Sequence, residues 1–126
     1  MTLILDSGGV SALVGQRTRL AELRRQGQWP PQVPSVVLTE VLTGDPRRDY
    51  HHHRLLAMCQ IRSVTEELAR TGARLRNKVA RPGVIAATDA VVAALATTHA
   101  NAVVLTSDVA DLTALLEGEQ VRVARA

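Results

Sequence analysis

The apolar positions of this chain form short continuous runs, which alternate with longer segments of helical period. Residues 3–5 and 102–106 contain runs without a charged residue, which are typical of strands buried on both faces of a parallel sheet. Shorter strands are predicted at 32–34, 60–64 and 121–124, the last of them at an edge. Strands that alternate with helices favour βαβ units. The pattern therefore predicts an α/β fold with three layers, α/β/α, around a mainly parallel central sheet.

Helices are predicted between these strands from the apolar spacing and from capping residues. The segment 17–26 is amphipathic, and the Ala-rich segment 86–99 has the strongest helix propensity. Ser35 and Thr65 are good N-caps for two further helices. A turn is predicted at 81–83. The other predicted helical segments are 9–14, 35–42, 47–58, 65–78 and 107–116.

Length and composition indicate a single domain that covers residues 1–126. Hydrophobic residues make up 46% of the chain, which is enough for one core and argues against disorder. No apolar stretch approaches the roughly 20 residues of a membrane helix, and the N-terminus lacks the features of a signal peptide. We therefore expect a cytoplasmic protein with no membrane partner. The single Cys59 excludes an internal disulfide and is predicted to be a small buried side chain.

The charge balance favours an anionic partner, but only modestly. The net charge is +3, and 14 of the 15 basic residues are Arg, which suits bidentate phosphate contacts. An Arg-rich composition also follows from a GC-rich genome. Arg47, Arg48 and Arg81 are candidate RNA contacts, with solvated helix faces as the alternative. The three histidines at 51–53 point in different directions on a helix, so a solvated surface is predicted there.

Two acidic residues follow the two most apolar strands. Asp6 comes directly after the first strand, beside a glycine turn, and Asp108 follows the strand at 102–106. Because ligands in open α/β sheets bind at the carboxyl ends of the strands, both carboxylates are expected at one edge of the sheet. The alternative for Asp6 is that it only caps the next helix.

Two more acidic residues lie within apolar helical segments. Glu40 and Asp89 are surrounded by Val, Leu and Ala, and Asp89 has no Lys or Arg within four residues on either side. A buried carboxylate without a partner costs several kcal/mol. Either a distant Arg or a cation must therefore compensate for Asp89. The alternative is that Asp89 stabilises the N-terminus of its helix.

Clustered carboxylates favour a particular chemistry. Oxygen ligands with open coordination positions suit Mg²⁺ or Mn²⁺ better than zinc, and such an ion activates water and neutralises a phosphodiester oxygen. The acids and the surrounding Arg residues therefore suggest metal-dependent phosphodiester hydrolysis. Two alternatives remain, a receiver-like phosphoacceptor domain and a catalytically silent binding module. A receiver would need paired acids after the first strand and a Lys after the last, whereas the only lysine is Lys78.

Four segments of the chain resemble a known family in sequence, order and spacing. They are similar to the PIN-domain family, and within it to the VapC-type ribonuclease toxins of type II toxin–antitoxin pairs. The segments are residues 3–7, 34–44, 87–96 and 103–112.

The resemblance implies roles for individual residues. The family's catalytic acids fall on Asp6, Glu40, Asp89 and Asp108, with Asp6, Asp89 and Asp108 as metal ligands and Glu40 as a ligand or a water-orienting base. The polar residues beside them, which are candidates for supporting contacts, are Ser7, Thr106, Ser107 and Asp111. The family further implies Mg²⁺- or Mn²⁺-dependent endoribonuclease activity on an RNA substrate, a homodimer, and a cognate antitoxin whose tail occupies the active-site groove.

Overall fold

The structure is a computed structural model that describes residues 1–79 and 82–126. Within these residues, the strands form one sheet in the order β3-β2-β1-β4-β5, and every neighbouring pair is parallel. The strands are β1 (Thr2–Leu5), β2 (Gln32–Pro34), β3 (Gln60–Arg62), β4 (Ala102–Thr106) and β5 (Val121–Arg125). The predicted α/β class is thereby confirmed, and so is the edge position of the last strand.

The helices form two groups that pack on opposite faces of this sheet. Helices α1 to α4 contact one another around α1, and α5 to α7 contact one another around α6, as right-handed crossovers in both directions from β1 require. The α-helices are α1 (Ser7–Leu13), α2 (Arg17–Arg25), α3 (Leu38–Val41), α4 (Tyr50–Leu56), α5 (Glu66–Lys78), α6 (Ala87–Thr97) and α7 (Val109–Leu115). Short 3₁₀ helices span Ser35–Val37 and Pro82–Val84.

The core lies between β1, β4 and the Ala-rich helix α6. Leu3, Ile4 and Leu5 are at most 2% exposed, and the whole of β4 is buried. The buried side chains of α6 are mostly alanines, and the helix packs against the sheet in a core almost without aromatic residues. The carboxyl ends of these two central strands carry Asp6 and Thr106, where the candidate site lies.

Several predicted boundaries were wrong, and each error has a local cause. Ser35 is not an N-cap, because Pro34 occupies the cap position and the chain first makes a 3₁₀ turn before α3. The strand predicted at 60–64 ends at Arg62. Thr65, in contrast, caps α5 as predicted, since its hydroxyl accepts the Leu68 N–H at 3.1 Å. In the turn predicted at 81–83, Arg81 lies outside the described residues.

The helix predicted to begin at residue 47 begins at Tyr50, because Asp49 organises the preceding residues into a turn. The Asp49 carboxylate is 2% exposed and accepts the backbone N–H groups of Thr43 and Gly44 at 2.9 Å each, together with the Thr43 hydroxyl at 2.9 Å. These hydrogen bonds, foremost the one from the Thr43 backbone, lower the pKa of Asp49 from its ordinary value, although burial opposes them. Sequence analysis missed this residue.

Replacing Asp49 with Asn is expected to lower the melting temperature at pH 7, because the amide turns a donor toward the N–H groups that the carboxylate accepts. A carboxylate with a lowered pKa contributes stability that is fully present above the ordinary value of 3.8 and is lost as pH falls through the folded-state value. Thermal melts should therefore show that the deficit of the variant shrinks below about pH 4.

The control for this experiment is Asp45→Asn in the same turn, since Asp45 is exposed and accepts only the Arg47 N–H. An Asp49→Asn deficit that is equally large at pH 3 and pH 7 would contradict the assigned role of the ionised carboxylate.

Among the described residues, no helix has both the length and the apolar content that crossing a bilayer requires.

Candidate metal centre

Asp6 stands at the end of β1 and is also the N-cap of α1. Its Oδ1 accepts the Gly9 N–H at 2.8 Å, and its Oδ2 accepts the hydroxyl of Thr106. The side chain is only 3% exposed. Capping, which sequence analysis gave as the alternative to a functional role, is therefore present, and it fixes the carboxylate at the edge of the sheet.

Thr106 joins the ends of the two central strands. It is fully buried, its hydroxyl donates to Asp6, and the same oxygen accepts the Asp108 backbone N–H at 2.8 Å. A single hydroxyl thus connects the carboxylate that follows β1 to the backbone of Asp108, two residues after the end of β4. The Asp6 carboxylate is consequently tied to the loop that carries Asp108.

Three carboxylates meet beside this connection. Oxygens of Asp89, Asp108 and Asp111 all lie within 4.8 Å of one another. Asp89 is in the first turn of α6, Asp108 precedes α7, and Asp111 is in the first turn of α7. We call these three residues the acidic cluster. It contains two of the three predicted metal ligands, and also Asp111, for which sequence analysis suggested only a supporting contact.

Burial and the closeness of the carboxylates raise the pKa values of Asp89 and Asp6. Burial, a hydrogen bond with the Asp108 side chain and the charges of Asp108, Asp6 and Asp111 raise the pKa of Asp89 to about 7. Burial also raises the pKa of Asp6 above its ordinary value, and the charge of Asp108 adds to this effect, while hydrogen bonds from Thr106 and Gly9 oppose it. Asp6 is therefore close enough to the cluster to act on it electrostatically.

The acidic cluster fits a hard divalent cation. Its ligand atoms are all carboxylate oxygens, as Mg²⁺ and Mn²⁺ prefer. The ion pairs among the described residues join other acids, namely Glu22, Glu66 and Glu119. No Lys or Arg of residues 1–79 and 82–126 thus makes an ion pair with the cluster, so no described basic side chain offsets the repulsion within it.

Two predicted catalytic acids are outside this group. Among the described residues, the set of oxygens within 4.8 Å includes neither Asp6 nor Glu40. Glu40 lies exposed on α3, the helix that follows β2, and β2 is the other neighbour of β1 in the sheet. Its role as a ligand or a water-orienting base stays a prediction.

The glycines after Asp6 do not form a turn but are part of α1, and both are required by close packing. A Cβ atom built on Gly8 would lie 2.1 Å from the Ser107 hydroxyl oxygen, and one on Gly9 would lie 2.3 Å from the Leu105 carbonyl oxygen. Helix α1 therefore rests directly on the end of β4. The candidates Ser7 and Ser107 differ in exposure, since Ser7 is partly buried as the first residue of α1 and Ser107 is exposed.

The candidate RNA contacts are described only in part. Arg47 and Arg48 are exposed in the turn before α4, and Arg81 lies outside the described residues. The histidines at 51–53 lie on α4, where the first and third are exposed. Cys59 is partly buried rather than buried, and burial raises the pKa of its thiol to about 11, so it is not a reactive thiolate.

Comparisons with known proteins give matches at the level of structure only. No protein-family profile matches the chain, and no curated protein matches it either.

The fold is that of several solved toxin–antitoxin structures. The chain is similar to a chain in the crystal structure of VapBC2 from Rickettsia felis bound to a DNA fragment from its promoter, with 14% identity, a TM-score of 0.74 and coverage of 100% of this chain and 99% of that chain. It is also similar to a chain of DNA-bound VapBC from Salmonella typhimurium, with 16% identity, a TM-score of 0.67 and coverage of 99% and 98%. A toxin–antitoxin complex from Klebsiella pneumoniae gives 18% identity, a TM-score of 0.60 and coverage of 86% and 88%. At these identities the likeness establishes the shared fold.

Proposed function

We propose that this protein is a metal-dependent endoribonuclease of the VapC type, the toxin of a toxin–antitoxin pair. The observation that carries the proposal is the acidic cluster, whose oxygens lie within 4.8 Å of one another without a basic partner among the described residues. The cluster stands at the carboxyl ends of the central strands, where α/β folds place their reactive groups.

Each residue of the site has a distinct task in this proposal. Asp89, Asp108 and Asp111 hold a Mg²⁺ or Mn²⁺ ion between α6 and α7. When bound, such an ion lowers the pKa of water and neutralises negative charge on a phosphodiester. Asp6, held by Thr106 and Gly9, adds negative charge that favours the cation.

Glu40 is the proposed residue that orients the attacking water or completes the ligand set. Its side chain is exposed, so it is accessible to solvent and to a substrate. Arg47 and Arg48 are proposed to contact RNA phosphates, because both guanidinium groups are exposed in the turn before α4.

The proposed partners are taken from solved structures that share this fold. Both of the VapBC structures are bound to DNA. By analogy, we propose that this chain binds a cognate antitoxin, acts as a homodimer and works in the cytoplasm.

Purified protein is expected to cleave single-stranded RNA in the presence of Mg²⁺ or Mn²⁺. Addition of EDTA should reduce the cleavage rate by more than about 100-fold, because the carboxylates alone repel the phosphodiester and cannot activate water. The measurement is gel analysis of a labelled RNA with each ion and with EDTA. Ca²⁺ serves as a control for nonspecific charge neutralisation.

Cleavage that is equally fast with EDTA would contradict the metal-dependent mechanism. If no RNA is cleaved with either ion, the nuclease proposal fails, and the catalytically silent binding module becomes the better account of this fold.

A further inference from the structure

The start of α6, which carries Asp89, is fixed from outside the helix. Ala86 occupies its N-cap position, and no side chain caps the first turn. The preceding carbonyl group, that of Ile85, instead accepts a hydrogen bond from Nε of Arg76 on α5, at 2.8 Å. Asp89 follows Ile85 by four residues, which is about one helical turn. Among the described residues, the Arg76 hydrogen bond thus supports the segment that leads into the turn carrying Asp89.

A second close approach between α5 and the segment that carries Asp89 lies near the Arg76 hydrogen bond. Gly72, one turn before Arg76 on α5, faces the backbone of α6, where a Cβ atom built on it would lie 3.2 Å from the Ala90 carbonyl oxygen. Ile85 itself is 3% exposed, so its backbone is anchored by the core on one side and by Arg76 on the other. Helix α5 therefore contacts the chain on both sides of Asp89, through the hydrogen bond to Ile85 and through the close approach at Ala90.

The guanidinium group of Arg76 makes no ion pair with a described acidic residue. The ion pairs among the described residues involve Arg25, Arg70 and Lys78, and Arg76 is not one of them. Its side chain is partly buried, unlike that of Arg74 two residues earlier, which is exposed and hydrogen-bonds only to Thr71 on its own helix. The side chain of Arg76 is thus partly buried and donates to a backbone carbonyl, which suggests that it fixes the position of that carbonyl.

We infer that Arg76 is a positioning residue, which sets the place of Asp89 relative to Asp108 and Asp111 by holding the Ile85 carbonyl. A metal site needs its ligands within about 0.5 Å of the binding geometry, so a small displacement of the first turn of α6 weakens it. This inference rests on the proposed function, because it concerns the same cation.

The test is the affinity of the intact protein for Mn²⁺, measured by calorimetric titration. Arg76→Met keeps the apolar stem and removes the donor, and it is expected to weaken Mn²⁺ binding about 10-fold, as loss of a residue that orients ligands typically does. Arg76→Lys keeps a donor of similar reach for the single hydrogen bond and should stay within about threefold of wild type. Arg74→Met, which removes the same charge from the exposed face, should leave the affinity unchanged.

Kinetic and folding measurements distinguish a positioning role of Arg76 from a contact with an RNA phosphate and from a role in stability alone. In RNA cleavage, Arg76→Met should lower kcat and leave KM unchanged, whereas a phosphate contact would raise KM and leave Mn²⁺ affinity intact. Titrations are made well below each variant's melting temperature; if Arg76→Met does not fold, Arg76→Leu, which also lacks a donor, takes its place with the same expected loss. Unchanged Mn²⁺ affinity in the folded variant, or equal losses in the Arg74 and Arg76 variants, would overturn the inference. Failure of wild type to bind Mn²⁺ would instead overturn the proposed function.

Discussion

Replacing Asp89 with Asn is expected to abolish RNA cleavage and, in the same protein, to raise the melting temperature without metal. Cleavage should fall by more than about 100-fold, since even residues that only orient metal ligands are worth 10- to 100-fold. Stability should rise because Asp89 is surrounded by the like charges of Asp108, Asp6 and Asp111. An amide at this position can donate to Asp108 instead of repelling it.

The size of the stability gain depends on pH in a defined way. Between the ordinary pKa of 3.8 and the folded-state pKa of about 7, the folded protein binds more protons at Asp89 than the unfolded chain does. The stability of the wild type therefore falls as pH rises through this window. The advantage of the variant should grow from pH 4 to pH 7. Because Asp89 is only partly buried, solvent screening limits the gain to about 1 kcal/mol, or roughly 4 °C.

Thermal melts in EDTA and cleavage assays with Mn²⁺ check the two halves of this prediction. The control is Glu117→Gln, which removes one negative charge from an exposed position and should change neither quantity. An Asp89→Asn protein that is less stable than wild type at pH 7 would show that the cluster is not under electrostatic strain. Retained cleavage would show that Asp89 does not serve the reaction.

Replacing Gly9 with Ala is expected to be the most damaging single methyl addition in the described part of the chain. The new Cβ atom would lie 2.3 Å from the Leu105 carbonyl oxygen and 3.4 Å from the Leu5 Cβ atom. Both neighbours belong to the central strands, so neither can move without disturbing the sheet. We expect a loss of about 3 kcal/mol, at the upper end for overpacking of a core.

Denaturant unfolding of the two proteins measures this loss. Gly83→Ala is the matched control, because no described atom lies within 4 Å of a Cβ at Gly83 and its φ angle is not positive, so its stability should be close to that of wild type. If Gly9→Ala unfolds within about 0.5 kcal/mol of wild type, α1 does not rest on β4 as closely as the structure indicates.

The sequence predicted the sheet and its edge well because these depend on hydrophobic period. The runs at β1 and β4 have no alternative to burial on both faces, and the acids after them necessarily reach the same edge. Asp89 was identified for a related reason, since a carboxylate among apolar helix positions needs a partner that the local sequence does not supply.

Features that depend on distances between segments far apart in the chain could not be predicted from the sequence. The sequence pointed to Asp111 only as a candidate for a supporting contact, and the packing of α7 against α6 brings its carboxylate into the acidic cluster. Asp49 reads as one more polar residue in a turn, and the close approach at Gly9 gives no signal other than the glycine itself. Arg76 was one of several arginines late in a helix, and its bond to Ile85 spans nine residues.

The central claim is that Asp89, Asp108 and Asp111 together hold one divalent cation, and anomalous diffraction from crystals of the wild-type protein grown with Mn²⁺ tests it most directly. We predict a peak within coordination distance of at least two of these three carboxylates, and its loss in Asp89→Asn crystals grown under the same conditions. A map without a peak between α6 and α7, or with the Mn²⁺ bound only elsewhere on the chain, would contradict the claim.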